Sequence, residues 1–85
     1  MDEFKFELVF GKYKLKISSQ DAFYIKLLIN KSRFEHEWSE LVDILYNWSN
    51  DSKINDTIFH ITQEQLRWIM SNASSHIHIY IPSCN

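Results

Sequence analysis

A chain of 85 residues, 45% hydrophobic and 15% aromatic, is large enough for one small core and too apolar to stay disordered. Its single cysteine, Cys84, leaves no internal disulfide framework, and its single glycine, Gly11, excludes the P-loop and the dinucleotide fingerprint. The net charge of −2 is unevenly placed: residues 1–33 carry seven cations against four anions, residues 34–85 two cations against seven anions.

Residues 4–10 alternate, with Phe4, Phe6, Leu8 and Phe10 on one side, and residues 13–17 do the same with Tyr13, Leu15 and Ile17. Gly11-Lys12 between them suits a two-residue type II′ turn, which takes glycine first. The turn and the pattern select one register, with Phe10 opposite Tyr13, Leu8 opposite Leu15 and Phe6 opposite Ile17, all facing the core. Ser18 or Ser19 then caps a helix through about Asn30, with Phe23, Ile25, Leu27, Leu28 and Ile29 as its apolar side. Ser32 with Glu35 reads as a capping box for a second helix running to about Trp48. Along it Phe34, Trp38, Leu41, Leu45 and Trp48 are spaced 4, 3, 4 and 3 apart, which aligns five bulky side chains on one face.

A polar loop follows from Ser49 to Asp56, then a short strand over residues 57–61. Thr62 with Gln65 is another capping box, and Ile61 with Leu66 fits a hydrophobic staple. The third helix is expected to bury Leu66, Ile69, Met70 and Ala73. A last strand over residues 76–81 turns Ile77, Ile79 and Ile81 inward and His76, His78 and Tyr80 outward, ending at Pro82. The order β-β-α-α-β-α-β predicts a single α+β domain over residues 1–85. It implies a mostly antiparallel sheet of about four strands with three helices on one face. No basic stretch followed by an apolar run opens the chain, and no run is long enough to cross a bilayer. A soluble cytoplasmic protein without a membrane role is expected.

Chemistry-bearing patterns are sparse. His76-x-His78 places two imidazoles on one strand face, and His60 and Cys84 could complete a metal set. The spacing fixes no further ligand, so no metal and no cofactor is expected. No nucleophile elbow is present, Cys84 lies near the chain end, and Glu37 with Glu40 sits on an open helix surface where nothing raises a carboxyl pKa. The chain is read as not an enzyme.

Lys12, Lys14 and Lys16 form a basic row. Its ordinary role is an edge strand defended by lysine, and nucleic-acid binding is the alternative. The second helix differs. Glu35, Glu37, Glu40 and Asp43, continued by Asp51 and Asp56, form an acidic run with no cation before Lys53. Helix faces normally mix signs, because like charges at helical spacing repel. A field of one sign attracts a basic partner. Trp68, off the stripe of its helix, is a candidate anchor.

Size, acidity and the lack of cofactor motifs are those of small stoichiometric inhibitors such as toxin-immunity and phage anti-defence proteins. The expectation is a binding module that occludes a basic functional surface, such as that of a nuclease or a nucleic-acid-binding complex. Glu37, Glu40, Asp43, Asp51 and Trp68 would make the contact. Binding of nucleic acid by Lys12, Lys14 and Lys16 is the second reading.

Overall fold

The computed structural model describes residues 4–50 and 56–80, with the side chains of Ile79 and Tyr80 set aside. Asp51, Lys53, Ile81, Pro82 and Cys84 lie outside the described residues, as do the inward and outward assignments of Ile79 and Tyr80. The described chain is a small α+β fold with three α-helices and a mixed sheet.

Strands β1 (Phe6–Phe10) and β2 (Tyr13–Ile17) pair antiparallel in the register expected from the turn and the pattern. Gly11 adopts φ +58°, the left-handed region required of the first turn position. Among the described residues, no atom beyond Gly11 and its two chain neighbours lies within 4 Å of where a Cβ would stand, so substitution there is opposed by backbone conformation. Gly11→Ala should therefore lower unfolding free energy by about 1–2 kcal/mol, and Gly11→Asn by less. Urea unfolding of the two variants checks the ranking. Tyr13 departs from expectation, since burial on β2 begins only at Leu15 and the ring at the hairpin tip stays exposed.

Helix α1 (Ser19–Asn30) is capped by Ser18, whose hydroxyl accepts the Asp21 amide at 3.1 Å. Asp21 returns the contact by accepting from the Ser18 amide and hydroxyl. Ala22, Ile25 and Ile29 face the core, and Leu28 packs against it. Phe23, assigned above to the apolar side, lies about 100° around the helix from Ala22 and is 42% exposed. Small Ala22 occupies the inward position instead.

The expected capping box of Ser32 and Glu35 does not form. The Ser32 hydroxyl donates to the Ile29 carbonyl at 2.7 Å and accepts the Phe34 amide at 3.1 Å, so it closes α1 instead of opening its successor. Glu35 points outward, 3.9 Å from His36. Helix α2 (Ser39–Asn50) begins later than expected, after hydrogen-bonded turns in which the Trp38 amide reaches the Phe34 carbonyl at 2.9 Å. Those turns keep the helical spacing. Phe34 and Trp38 stack with centroids 3.9 Å apart, and all five stripe residues are buried. Among the described residues, the α1–α2 packing is the most extensive between any two elements.

Strand β3 (Ile58–His60) runs parallel to β1, held at its ends by Glu7 N to Thr57 O at 2.8 Å and Ile61 N to Val9 O at 2.9 Å. Helix α3 (Gln63–Asn72) opens with the expected capping box, Thr62 and Gln65 exchanging bonds of 2.9 and 3.1 Å. Ile61 and Leu66 are both buried, as a staple requires. Leu66, Ile69 and Ala73 are buried as expected, whereas Met70, also expected inside, is 42% exposed and Gln65 is buried in addition.

The expected four strands and their order are only partly matched. A short 3-10 helix at Ser74–His76 takes the start of the last strand, leaving β4 at His78–Tyr80 beside β2. The sheet order β3-β1-β2-β4 makes β2 an interior strand, not the lysine-defended edge anticipated above, and the parallel β1–β3 pair makes the sheet mixed. Phe6, Leu8, Leu15 and Ile17 face the helices and are fully buried, while the opposite side is left largely open.

Candidate functional site

Side chains that the core does not use form three surfaces. The first is acidic. On α2, Leu41, Leu45 and Trp48 turn inward, which forces Glu40 and Asp43 outward; both are exposed. Glu35 and Glu37 are exposed in the preceding turns, and Asp56 after the helix. Among the described residues, no lysine or arginine forms an ion pair with Glu35, Glu37, Glu40 or Asp43.

Beside this surface runs an exposed aromatic belt. Tyr46, three residues after Asp43 and so on the same flank of α2, is 53% exposed. Lys26 of α1 reaches across with its ammonium 5.7 Å from the Tyr46 ring and 5.1 Å from the Phe23 ring. Phe23 meets Tyr24 edge-on at 5.8 Å, and Tyr24 stacks on His76 at 5.1 Å. His76 itself rests 3.6 Å from the Asp21 carboxylate that caps α1. The aromatic belt thus adjoins the carboxylates on one side and the α1 cap on the other.

The open sheet face is of mixed character. Cross-strand register aligns Ile58, Glu7, Lys16 and His78 in one row and places His60, Val9 and Lys14 in the next. Lys16 lies 4.0 Å from Glu7, and the His78 and Phe4 rings meet tilted, with centroids 4.1 Å apart. Lys12 is exposed at the turn, and Lys14 and Lys16 are half-buried.

No family model, curated protein or solved structure matches the chain. Residue placement is therefore the whole basis for reading the site.

The structure brings Glu37, Glu40 and Asp43 to the surface together, while Asp51 is outside the described residues. It puts Trp68 elsewhere, half-buried and edge-on to Phe34 at 6.4 Å and Trp38 at 5.7 Å, where it extends the core. The histidines separate: His76 sits in the 3-10 helix and His78 on β4, so the x-spaced pair does not share one strand. Among the described residues, no helix is long and apolar enough to cross a membrane. Sequence reasoning missed Phe23, Tyr24 and Tyr46 as surface residues. The signal was available in Ala22, whose three- and seven-residue spacing to Ile25 and Ile29 defines a face that excludes Phe23 and Tyr24.

Proposed function

We propose that the chain is a cytoplasmic, non-enzymatic binding module that covers a basic functional surface of a partner protein, in the manner of a stoichiometric inhibitor. The observation that supports this most is the exposure of Glu37, Glu40 and Asp43 with no lysine or arginine paired to them among the described residues. Unpaired charges of one sign accelerate encounter with an oppositely charged surface and disfavour acidic competitors. Electrostatics alone gives speed more than affinity. Tyr46, Phe23 and Tyr24 add what a lasting contact needs, because partly exposed aromatics bury much area at small entropic loss. In this reading Glu40 and Asp43 steer, Tyr46 anchors, and the block is steric.

Affinity capture with wild type, with Glu40→Lys/Asp43→Lys and with Lys14→Glu as baits tests the reading. A basic protein retained by wild type and Lys14→Glu but lost by the double variant supports it. Equal retention by all three baits rules it out. Binding of nucleic acid through Lys12, Lys14 and Lys16 is disfavoured by Glu7 beside Lys16. That alternative would gain from lysine-dependent oligonucleotide binding that falls steeply with salt.

A further inference from the structure

The chain contains two arginines, Arg33 and Arg67, and both line one open groove of about 580 Å³ between the turn after α1 and helix α3. That volume suits a small organic ligand. On α3 the groove is lined by Glu64, Arg67, Trp68, Ser71 and Asn72, at spacings of three, four, seven and eight from the first. Such spacing is one complete helix face. The face is distinct from the one formed by Leu66, Ile69 and Ala73, which serves the core. Helix α3 is thus two-sided, and its second side carries hydrogen-bonding groups around an indole.

The chemistry of that side is specific. The Arg33 guanidinium lies 4.7 Å from the Phe34 ring centroid, a cation–π contact that uses none of its N–H donors. Among the described residues, neither arginine has a carboxylate partner, and Arg67 does not pair even with Glu64 one turn earlier. Two unpaired guanidiniums on one groove favour an anion with several oxygens, above all a phosphate. Half-buried Trp68 lines the same groove, and its indole is the group there on which a flat ring would stack. Asn72 donates one amide N–H to the Trp68 carbonyl at 2.9 Å, and its oxygen is an acceptor. Glu64 is a second acceptor, suited to a ring amino group or a sugar hydroxyl and repellent to a bare polyanion.

We infer that this groove binds a nucleotide, its phosphate held by Arg33 and Arg67 and its base laid against Trp68. The mode needs no glycine-rich loop, because side chains and not backbone amides take the phosphate. The inference is separate from the protein-binding reading, since neither Glu40, Asp43 nor Tyr46 lines the groove. The same chemistry is offered by a free nucleotide and by the 5′ end of a strand.

Calorimetry and tryptophan fluorescence with AMP, adenosine and inorganic phosphate test it on the full chain. AMP should bind and quench emission, with adenosine and phosphate each weaker by about tenfold or more. Arg33→Gln and Arg67→Gln should each weaken AMP by about tenfold, and Lys31→Gln should leave it unchanged. Far-UV circular dichroism verifies that the variants fold, as expected for exposed positions. A 5′-phosphorylated tetra-adenylate that competes with AMP at equal or higher affinity identifies a strand end as the source. A weaker one identifies the free nucleotide. The inference is overturned if AMP gives neither heat nor quenching up to about 10 mM. Phosphate binding as tightly as AMP, or Lys31→Gln weakening AMP as much as the arginine variants, overturns it as well.

Discussion

Trp48→Ala is expected to lower the unfolding free energy by about 3–5 kcal/mol. Trp48 is fully buried, and its indole stacks on Phe6 with centroids 4.9 Å apart and planes 13° from parallel. This contact joins α2 to β1, and therefore the helical layer to the sheet. The indole N–H also donates to the Asp56 carbonyl at 2.8 Å, tying the start of the β3 segment to the end of α2. Truncation removes apolar area, leaves a void among rigid neighbours and severs that tie. Small domains have about 5–15 kcal/mol in total, so a loss of this size should leave a measurable unfolded fraction in water. Trp48→Phe separates the parts: it keeps most of the stacking and loses the donor, and should fall by about 1–3 kcal/mol. Urea denaturation followed by circular dichroism gives both values. A deficit below about 1 kcal/mol for the alanine variant would contradict the packing described.

Glu40→Lys/Asp43→Lys is expected to weaken association with the proposed basic partner by about a hundredfold at low salt. The substitution turns two attractive charges into two repulsive ones on the surface proposed to meet a basic partner. The loss should fall mainly on the association rate and shrink as salt rises, because screening removes repulsion along with attraction. Tyr46→Ala should act differently, raising the dissociation rate with little salt dependence, since it removes buried area and not charge. Surface plasmon resonance at two ionic strengths separates these signatures. Neither variant should shift the urea midpoint much, because all three residues are exposed. An association rate unchanged by the double reversal would remove electrostatic steering from the proposal.

Much of the fold was legible in the residues, and the legible parts share a cause: they depend on near neighbours. The Gly11-Lys12 turn with its flanking alternation settled the hairpin register, and the capping box at Thr62 and Gln65 marked where α3 begins. The stripe from Phe34 to Trp48 was readable as one buried face. What failed depended on competition between plausible partners. Ser32 had the spacing of an N-cap to Glu35, but its oxygen accepts the nearer Phe34 amide while its hydroxyl donates back to the Ile29 carbonyl. Met70 and Phe23 are apolar enough for the core, yet smaller or better-aimed Ala73 and Ala22 hold the inward positions. The parallel entry of β3 beside β1 joins segments some fifty residues apart, which no local pattern encodes.

The carboxylates of the candidate site were legible as charge, because an acidic run is visible in any window. Their aromatic neighbours were not, since Tyr46 lies off the stripe and its cover by α1 could be judged only in space. The groove of Arg33 and Arg67 was less legible still. Its α3 face has the helical period, but that period is carried by polar residues, which hydrophobic patterning does not weigh.

The central seat of β1 also bears on how the chain is made. Its hairpin partner follows within a few residues, so one edge is satisfied early in synthesis. The other edge awaits residues 57–61 and stays unzipped while the two intervening helices emerge. Nascent chains halted before residue 57 should thus present a sticky ribbon, prone to pairing with any extended strand nearby until β3 arrives to close it.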